Sequence, residues 1–408
     1  MRSALATSQL PLRSGVLRTA SAVISALLIS APVAVLGLGV RVPNQDAEAT
    51  ARGNAFVATA NNPSAIYYNP AGISQLEGLN AQLGVHAISI NSEYRSPSGV
   101  QAETKFELQG VPQAFYTFTP KDSALSYGFG IYAPFGLGLE WDADNPFRTS
   151  AIEGRLVYVC ANPVVAWKPH PTLSLAIGPT FNYSRLKLRQ GIFTASDEFR
   201  FRGDGVGFGF SAGVLYQPHP QWSFGASYRY ASSIDYGGHS ELRPYAPSTH
   251  TTLELQFPQY VIAGISYRPT PDWNFEVNID WTDWDSLNTA YFRDTAFGTI
   301  PLPLNWKSSF LYEAGVTRYL KNGYYVAGGY FFSGNSTTDE NFTPIVPDTD
   351  LHVGSLGFGY KGEHWRWALS GQIIAGAWRE VRNNVNPAVN GRYQWFNQAV
   401  NASVGYHF

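Results

Sequence analysis

The chain has 408 residues, of which 15% are aromatic and only 14% are charged, and its formal net charge is −2. A soluble domain carries about 25% charged residues, so an ordinary water-facing surface is doubtful, and the lack of a basic surplus argues against a nucleic-acid-binding protein. Beyond the N-terminus no uninterrupted apolar run reaches about 18 residues, which excludes a bundle of transmembrane helices.

The first 39 residues have the layout of a secretory signal peptide. Arginines and no acids precede the apolar stretch Thr19–Val40, and small residues suit cleavage near Gly37 or Gly39. The alternative is a retained membrane anchor, which Pro32 and the small residues after it disfavour. We therefore assign residues 1–39 to a signal peptide.

Residues 40–77 differ in composition from the rest of the chain and predict short helices. Asn44 can cap a helix whose first turn contains Asp46 and Glu48, because the helix dipole favours acids there. Two further helix-start signals, an asparagine cap followed by a proline, occur at Asn62-Pro63 and Asn69-Pro70. Three helices of this size cannot form a core alone, so we predict a helical plug that packs on or inside the C-terminal remainder of the chain.

From Leu79 onward the hydrophobic period changes to two residues, which predicts β-strands. In Trp273–Trp281, apolar residues on one face alternate strictly with polar residues on the other. We count about 14 such segments, an even number as in bacterial outer-membrane barrels.

The connections alternate between short turns and long stretches. The long stretches lie near residues 91–104, 138–154, 187–204, 231–256, 285–306, 333–350 and 377–392. This alternation is typical of an up-and-down barrel with periplasmic turns and extracellular loops. We therefore predict an all-β fold, a transmembrane antiparallel barrel of about 14 strands over residues 78–408, with the short N-terminal helical plug in its lumen.

The plug sequence resembles a known family. Ala51–Phe56 and Pro63–Gly72 are similar to the N-terminal hatch of long-chain fatty-acid outer-membrane transporters of the FadL type (OMPP1/FadL/TodX-like), which include aromatic-hydrocarbon importers. Further similarities are Trp281–Trp284 and Pro347–Asp350. The resemblance implies passive uptake of hydrophobic molecules through the outer membrane of a Gram-negative bacterium, without catalysis or a cofactor. The hatch residues that it singles out are Tyr67, Tyr68, Asn69, Pro70, Ala71 and Gly72.

The resemblance also implies that substrate leaves sideways through a gap at a kink in the third strand. In this chain the corresponding residues are Ala133, Pro134, Phe135 and Gly136. Proline cannot donate to the strand ladder and glycine favours a bend, so pairing should fail here. The alternative is an ordinary bulge near the extracellular rim.

Apolar side chains on the predicted loops could form a groove that captures substrate, since exposed apolar clusters mark binding sites. The candidates are Ile192, Phe193, Phe199, Phe201, Leu242, Tyr245, Leu253 and Leu255. The alternative is that these loops simply pack on each other.

A fatty acid also brings a carboxylate, which needs a donor inside an apolar cavity. Strand parity turns Arg229 and Lys307 inward near the outer end of the barrel. The alternative is an ion pair within the lumen, formed with Glu313 or Asp280.

Two other functions compete with transport of hydrophobic molecules. A general porin or structural barrel is disfavoured by the plug. An outer-membrane lipase needs serine, histidine and an orienting polar group together, and His86 and His407 have no evident serine partner. The aspartates near residue 283 lack a closing glutamate, so no metal site is predicted.

The predicted location implies partners other than substrate. The terminal Phe408, with Tyr406 two residues before it, resembles the signal that the barrel-insertion machinery reads. Outer-membrane lipid and lipopolysaccharide are expected to surround the barrel.

Overall fold

The computed structural model describes residues 39–408, so the predicted signal peptide lies outside the described residues except for Gly39. The helices are α1 (Ala47–Ala51), α2 (Ala65–Tyr68) and the 3-10 helices Pro70–Gln75, Trp284–Ser286, Lys321–Gly323 and Pro387–Val389. The strand segments are β1 (Gly78–Ile90), β2 (Ser92–Arg95), β3 (Gln101–Glu103), β4 (Glu107–Thr119), β5 (Leu125–Tyr132), β6 (Gly136–Glu140), β7 (Glu153–His170), β8 (Leu173–Gln190), β9 (Glu198–His219), β10 (Trp222–Arg229), β11 (Ser232–Arg243), β12 (Ala246–Phe257), β13 (Tyr260–Tyr267), β14 (Trp273–Thr282), β15 (Thr289–Thr295), β16 (Gly298–Pro303), β17 (Ser309–Tyr319), β18 (Tyr324–Ser333), β19 (Leu351–Lys361), β20 (Trp365–Gly376), β21 (Arg379–Val381) and β22 (Gly391–His407).

These segments form a closed antiparallel barrel of 14 strands, which confirms the predicted fold class. Eight of the 14 are interrupted, so that β1 continues as β2, β3 as β4, β5 as β6, β10 as β11, β12 as β13, β14 as β15, β16 as β17 and β20 as β21. Closure comes from β1, which pairs with β4 on one side and with β22 on the other. None of the helices within residues 39–408 is long and apolar enough to cross a membrane.

The two faces of the wall have opposite chemistry, as the alternating pattern predicts. In β14, Glu276 and Asp280 face the lumen and are buried, whereas Phe275 and Val277 face outward and are 43% and 58% exposed. An apolar outer face suits hydrocarbon, and closure leaves no unpaired sheet edge in the lipid.

The extracellular side contains more strand than the sequence predicts. The expected loop at 231–256 is a hairpin of β11 and β12 that pairs from Ser232 and Phe257 outward, and the expected loop at 285–306 contains the hairpin of β15 and β16. Likewise, β8 runs to Gln190 and β9 begins at Glu198. These loop assignments were wrong because a long connection must find partners for its backbone polar groups, and an extended hairpin supplies them.

The plug helices lie close to their predicted positions but with different ends. Asp46, not Asn44, caps α1, and its Oδ2 accepts from Ala49 N at 3.1 Å. The helix ends at Ala51, because the chain turns at Gly53 with a φ of +61°.

Candidate functional site

The plug, called the hatch below (residues 40–77), fits into the lumen because glycines in the wall make room for it. A Cβ at Gly329 would lie 2.0 Å from the carbonyl carbon of Arg52, and one at Gly225 would lie 2.1 Å from the carbonyl oxygen of Val57. Both distances are shorter than any van der Waals contact, so a larger residue at either position would displace the hatch.

The predicted hatch residues take part in this packing. Asn69 Nδ2 donates to the carbonyl oxygens of Val57 at 2.8 Å and of Val214 in β9 at 2.9 Å. Asn69 also caps the 3-10 helix that starts at Pro70, and Ala71 is fully buried. Gly72 contacts Ala60 so closely that a Cβ would lie 2.2 Å from its carbonyl oxygen.

The two hatch tyrosines are buried and point toward the N-terminal segment and the third barrel strand. Tyr68 Oη donates to the carbonyl oxygen of Pro43 at 3.0 Å. The Tyr67 ring packs edge-on against Tyr132, the last residue of β5, at 5.2 Å between centroids. These residues therefore connect the hatch to the kinked strand.

Two buried ion pairs join the hatch to the wall, and sequence reasoning did not find them. Arg52 Nη2 contacts Glu276 Oε2 at 3.2 Å, and Arg41 Nη1 contacts Asp280 Oδ1 at 2.7 Å. All four side chains are essentially inaccessible to solvent. Removing one partner of such a pair costs about 3–5 kcal/mol, because it leaves a buried charge unpaired.

The ladder between the second and third barrel strands is interrupted. Pairing of β4 with β5 ends at Ala114 and Ile131, and β4 has no ladder with β6. Backbone pairing resumes only toward the outer end, where Thr104 forms an isolated bridge with Trp141 and Lys105 N donates to Glu140 O at 2.8 Å. The predicted kink residues, Ala133, Pro134, Phe135 and Gly136, lie at this interruption.

A second proline, which sequence reasoning did not single out, lies opposite the kink. Pro112 belongs to the part of β4 that pairs with β1 but not with the third strand. It lacks an N–H, as does Pro134, so both sides of the interruption carry a residue that cannot donate to a ladder. Finding it from sequence would require knowing the strand register.

The N-terminal end of the hatch occupies the free edge of the third strand. Val42 N donates to Pro134 O, Gly136 N donates to Val40 O, and both distances are 2.8 Å. Gln45 Nε2 adds a bond of 2.8 Å to the carbonyl oxygen of Ala133. The hatch thus satisfies backbone groups that β4 leaves unpaired.

An apolar cavity adjoins this edge. It contains about 660 Å³ of space not filled by protein atoms, part of which is open to solvent. Its lining is apolar except for Gln256 and Thr343. The cavity touches both sides of the docked edge through Val40 of the hatch and Leu137 of β6, and Phe257, Trp284 and Trp306 contribute aromatic surface.

Arg229 lies inside the barrel, but it does not form the alternative ion pair with Glu313 or Asp280. Its Nη2 donates to Tyr132 Oη at 2.5 Å, and its Nη1 lies 3.7 Å from Cys160 Sγ. Among residues 39–408 no carboxylate is within ion-pair distance of Arg229, and Asp280 is paired with Arg41 instead.

The inward placement of Lys307 was wrong. Lys307 is exposed, whereas Leu304 and Trp306 are buried beside the cavity. Strand parity fails here because residues 304–308 lie between β16 and β17 and do not continue the alternation of either strand.

The predicted capture residues separate into two groups. Phe199, Phe201, Leu242 and Leu253 lie on β9, β11 and β12 and are buried, and the two phenylalanines pack on Phe292 with centroids about 5 Å away. Ile192 is partly buried, Leu255 lines the cavity, and Phe193 is 76% exposed and packs against Tyr245. Only the second group contains residues that a solute could reach from outside or from the cavity.

A closed barrel with an apolar outer face, a filled lumen and an apolar cavity defines the molecule as an outer-membrane protein with the architecture of a transport channel. Residues 31–365 match the family described as outer membrane protein transport protein (OMPP1/FadL/TodX). The chain belongs to this family of outer-membrane transporters of hydrophobic compounds.

Sequence relatives are distant. The long-chain fatty acid transport protein of Salmonella typhi is 21% identical over 347 residues, which are 74% of this chain and 79% of that protein. The putative outer membrane protein NMB0088 of Neisseria meningitidis serogroup B is 26% identical over 129 residues. That match spans 29% of this chain and only 27% of the Neisseria protein.

Solved structures share the fold. A Pseudomonas aeruginosa FadL homologue superposes with a TM-score of 0.82 and 18% identity, over 91% of this chain and 100% of that one. The Ralstonia pickettii toluene transporter TbuX superposes with a TM-score of 0.69 and 15% identity, over 90% of this chain and 100% of that one. At such identities the likeness concerns the fold.

Phe408 lies directly after the C-terminal strand and is 64% exposed. Its N–H donates to Leu79 O at 3.0 Å, and its ring contacts Tyr406. Recognition of this aromatic by the insertion machinery stays a prediction.

Proposed function

We propose that the protein takes up long-chain fatty acids or similarly hydrophobic molecules, captures them at the extracellular hairpins, holds them in the apolar cavity and releases them sideways into the membrane. The observation that carries the proposal is that this cavity touches both Val40 and Leu137, the two sides of the edge where the hatch docks on the third strand. No catalytic role is proposed.

The lining supports a hydrophobic ligand. Ligand cavities are lined mainly by apolar and aromatic side chains, with a few polar groups that orient the guest. Here the walls offer Trp284, Trp306 and Phe257 among mostly aliphatic neighbours, and a hydrated polar solute would lose its water shell without finding replacement partners.

The strength of the hatch contacts supports a sideways route. An axial path would require the whole hatch to leave its close contacts with the wall glycines and to break the Arg52–Glu276 and Arg41–Asp280 pairs. Shifting only the segment 40–42 breaks the two backbone hydrogen bonds to the third strand and exposes an existing interruption in the wall. The local motion is the smaller rearrangement.

Both charged and neutral substrates are represented among the relatives, as fatty acid transport proteins and as a toluene transporter. Arg229 favours a substrate with a carboxylate in this chain, because its buried guanidinium has no acidic partner among the described residues. We therefore propose fatty acids ahead of neutral hydrocarbons.

The proposal is tested by closing the wall with a disulfide. Gln109 of β4 and Gly138 of β6 lie on the two strands that flank the interruption, and the Gln109 side chain reaches Gly138, so the variant Gln109→Cys/Gly138→Cys places one thiol on each side of it. The native Cys160 is buried and does not compete for surface oxidation. Oxidised protein in cells or liposomes should lose oleate uptake, and reduction should restore it.

The matched control is Ala166→Cys/Ala176→Cys, which pairs two neighbours in the continuous ladder of β7 and β8. Its oxidation should leave oleate uptake unchanged. Full uptake through the oxidised Gln109→Cys/Gly138→Cys barrel would exclude exit at this interruption.

A further inference from the structure

The outward face of β7, β8 and β9 carries a band of charge just outside the apolar belt. Strand register aligns Arg155 with Lys187 and Lys187 with Arg202, so three cations lie side by side in one row. In the next row toward the extracellular side, Arg189 is aligned with Arg200. The next row toward the membrane contains Arg185. We call these six residues the basic face.

Such an arrangement is unfavourable unless negative charge is supplied. Like charges directly opposite each other on neighbouring strands destabilise a sheet. The protein supplies part of the compensation through Glu153, which accepts from Arg155 Nε at 2.7 Å, from Lys187 Nζ at 2.7 Å and from Arg189 Nη1 at 3.2 Å. Glu107 and Glu140 pair in addition with Arg155, and Glu198 pairs with Arg189 and Arg200. The compensation is thus concentrated on the extracellular side of the basic face.

The compensation does not reach the membrane side of the basic face. Within residues 39–408, Arg185 and Arg202 take part in no ion pair, and both are exposed. Asp204, which lies across from Arg185 in the ladder, is the nearest acid in register and forms no ion pair among the same residues. Cationic side chains thus remain available at the lower border of the band.

Below this border the same three strands become apolar. The next rows align Val159 with Tyr183 and Val206, then Ala161 with Phe181 and Phe208. Val206 and Phe208 are 62% and 67% exposed, which is the environment of lipid acyl chains rather than of water. The change from apolar to cationic rows therefore marks the level of lipid headgroups on the extracellular side.

We propose that the basic face is a binding site for the phosphorylated headgroup of an outer-leaflet glycolipid. Its phosphates would contact Arg185, Lys187 and Arg202, and its acyl chains would lie along the exposed Val206 and Phe208. Arginine recognises phosphate through paired N–H donors, and clustered basic residues at a membrane surface bind anionic lipid. The site is separate from the cavity and does not depend on the transported substrate.

The test measures glycolipid binding to the detergent-purified barrel by native mass spectrometry. The probe is bis-phosphorylated lipid A, compared with the same lipid after removal of its phosphates. The wild-type barrel should retain the phosphorylated form, and Arg185→Gln/Lys187→Gln/Arg202→Gln should weaken binding by about tenfold or more. Added salt should weaken the wild-type complex, since the contacts are ionic.

The matched control removes three exposed arginines from another extracellular surface, Arg95→Gln/Arg382→Gln/Arg392→Gln, with the same change in net charge. It should bind lipid A as the wild type does, and heat-dependent gel migration should show that both variants form barrels. Equal binding by the basic-face variant and the wild type would overturn the proposal. So would equal retention of dephosphorylated lipid A, or of inorganic pyrophosphate in place of the lipid.

Discussion

Arg229 is a buried cation that forms no ion pair among the described residues. Its guanidinium carbon lies 5.2 Å from the ring centroid of Tyr132 and 5.8 Å from that of Tyr260, and its Nε has no partner among the described residues. Aromatic faces and one thiol compensate a desolvated cation only in part. A carboxylate that reached this point would gain a charge-assisted hydrogen bond, which links this residue to substrate choice.

Replacing Arg229 with an uncharged residue should affect the binding of acidic and neutral ligands differently. Arg229→Met should weaken oleate binding by about tenfold or more, since a hydrogen bond to a charged group contributes roughly 1.5–3 kcal/mol. Binding of a neutral hydrocarbon of the same length should change little. Quenching of tryptophan fluorescence measures both ligands, because Trp284 and Trp306 line the cavity.

Arg229→Lys serves as the conservative control and should keep part of the oleate affinity. If Arg229→Met weakens oleate and the hydrocarbon equally, the arginine has only a packing role.

At the level of elements, the turn between β8 and β9 is held by the carboxylate of Asp197, which also pairs with Arg148 at 3.3 Å. The backbone N–H groups of Ile192, Phe193 and Thr194 donate to Asp197 at 2.8–2.9 Å, and Tyr245 Oη donates to it at 3.0 Å. Desolvation alone would raise the pKa of Asp197, but these donors outweigh it and hold the pKa below its usual range. The exposed Phe193 is therefore presented by an ordered turn.

The lowered pKa gives this turn a defined pH dependence. A carboxylate whose folded pKa is depressed stabilises the fold above its unfolded pKa of about 3.9 and loses that contribution as pH falls through the folded pKa. Amide exchange protection of residues 191–197 should therefore persist from neutral pH to about pH 4 and decline only in stronger acid.

Asp197→Asn should remove that protection at neutral pH while the exchange of β8 and β9 stays unchanged. Protection in the variant equal to that of the wild type would show that the turn does not depend on the carboxylate.

At the scale of the whole molecule, the hatch and the barrel form one body because small residues of the wall meet backbone of the hatch. Gly329 and Gly53 illustrate this, since the wall glycine approaches the hatch glycine so closely that a Cβ on Gly329 would lie 2.2 Å from Gly53 N. Hatch residues such as Phe56 and Ile66 are buried, and they belong to the same apolar core as residues of the extracellular hairpins.

This close packing predicts that a larger side chain at one wall position, Gly329, displaces the hatch and lowers stability. Gly329→Val should lower the free energy of unfolding in vesicles by about 1–3 kcal/mol, the usual cost of overpacking. Gly371→Val is the matched control, because a Cβ there would meet no atom within 4 Å. Urea unfolding, followed by tryptophan fluorescence, measures the free energy of unfolding of both variants. Equal values would contradict the claim that Gly329 makes room for the hatch.

The barrel itself was predictable from sequence because its signals are local. Strict alternation, as in Trp273–Trp281, indicates which residues of a single strand face the lumen and which face lipid. Turn residues indicate where strands end. The predicted strand number, outer-membrane location and family were therefore confirmed. The parity argument gave the right face for Arg229, which lies within β10, and the wrong one for Lys307, which lies between strands.

The sequence alone determined that this chain has too few charged residues for the surface of a soluble protein. It also determined that the strands have one apolar and one polar face, and that helical residues precede the first strand. Only the tertiary structure decided which distant residues meet. Arg41 and Asp280 are 239 residues apart, and their pairing depends on barrel closure and strand register. The docking of Val42 on Pro134 and the alignment of Arg155, Lys187 and Arg202 depend on the same register, which no local pattern encodes.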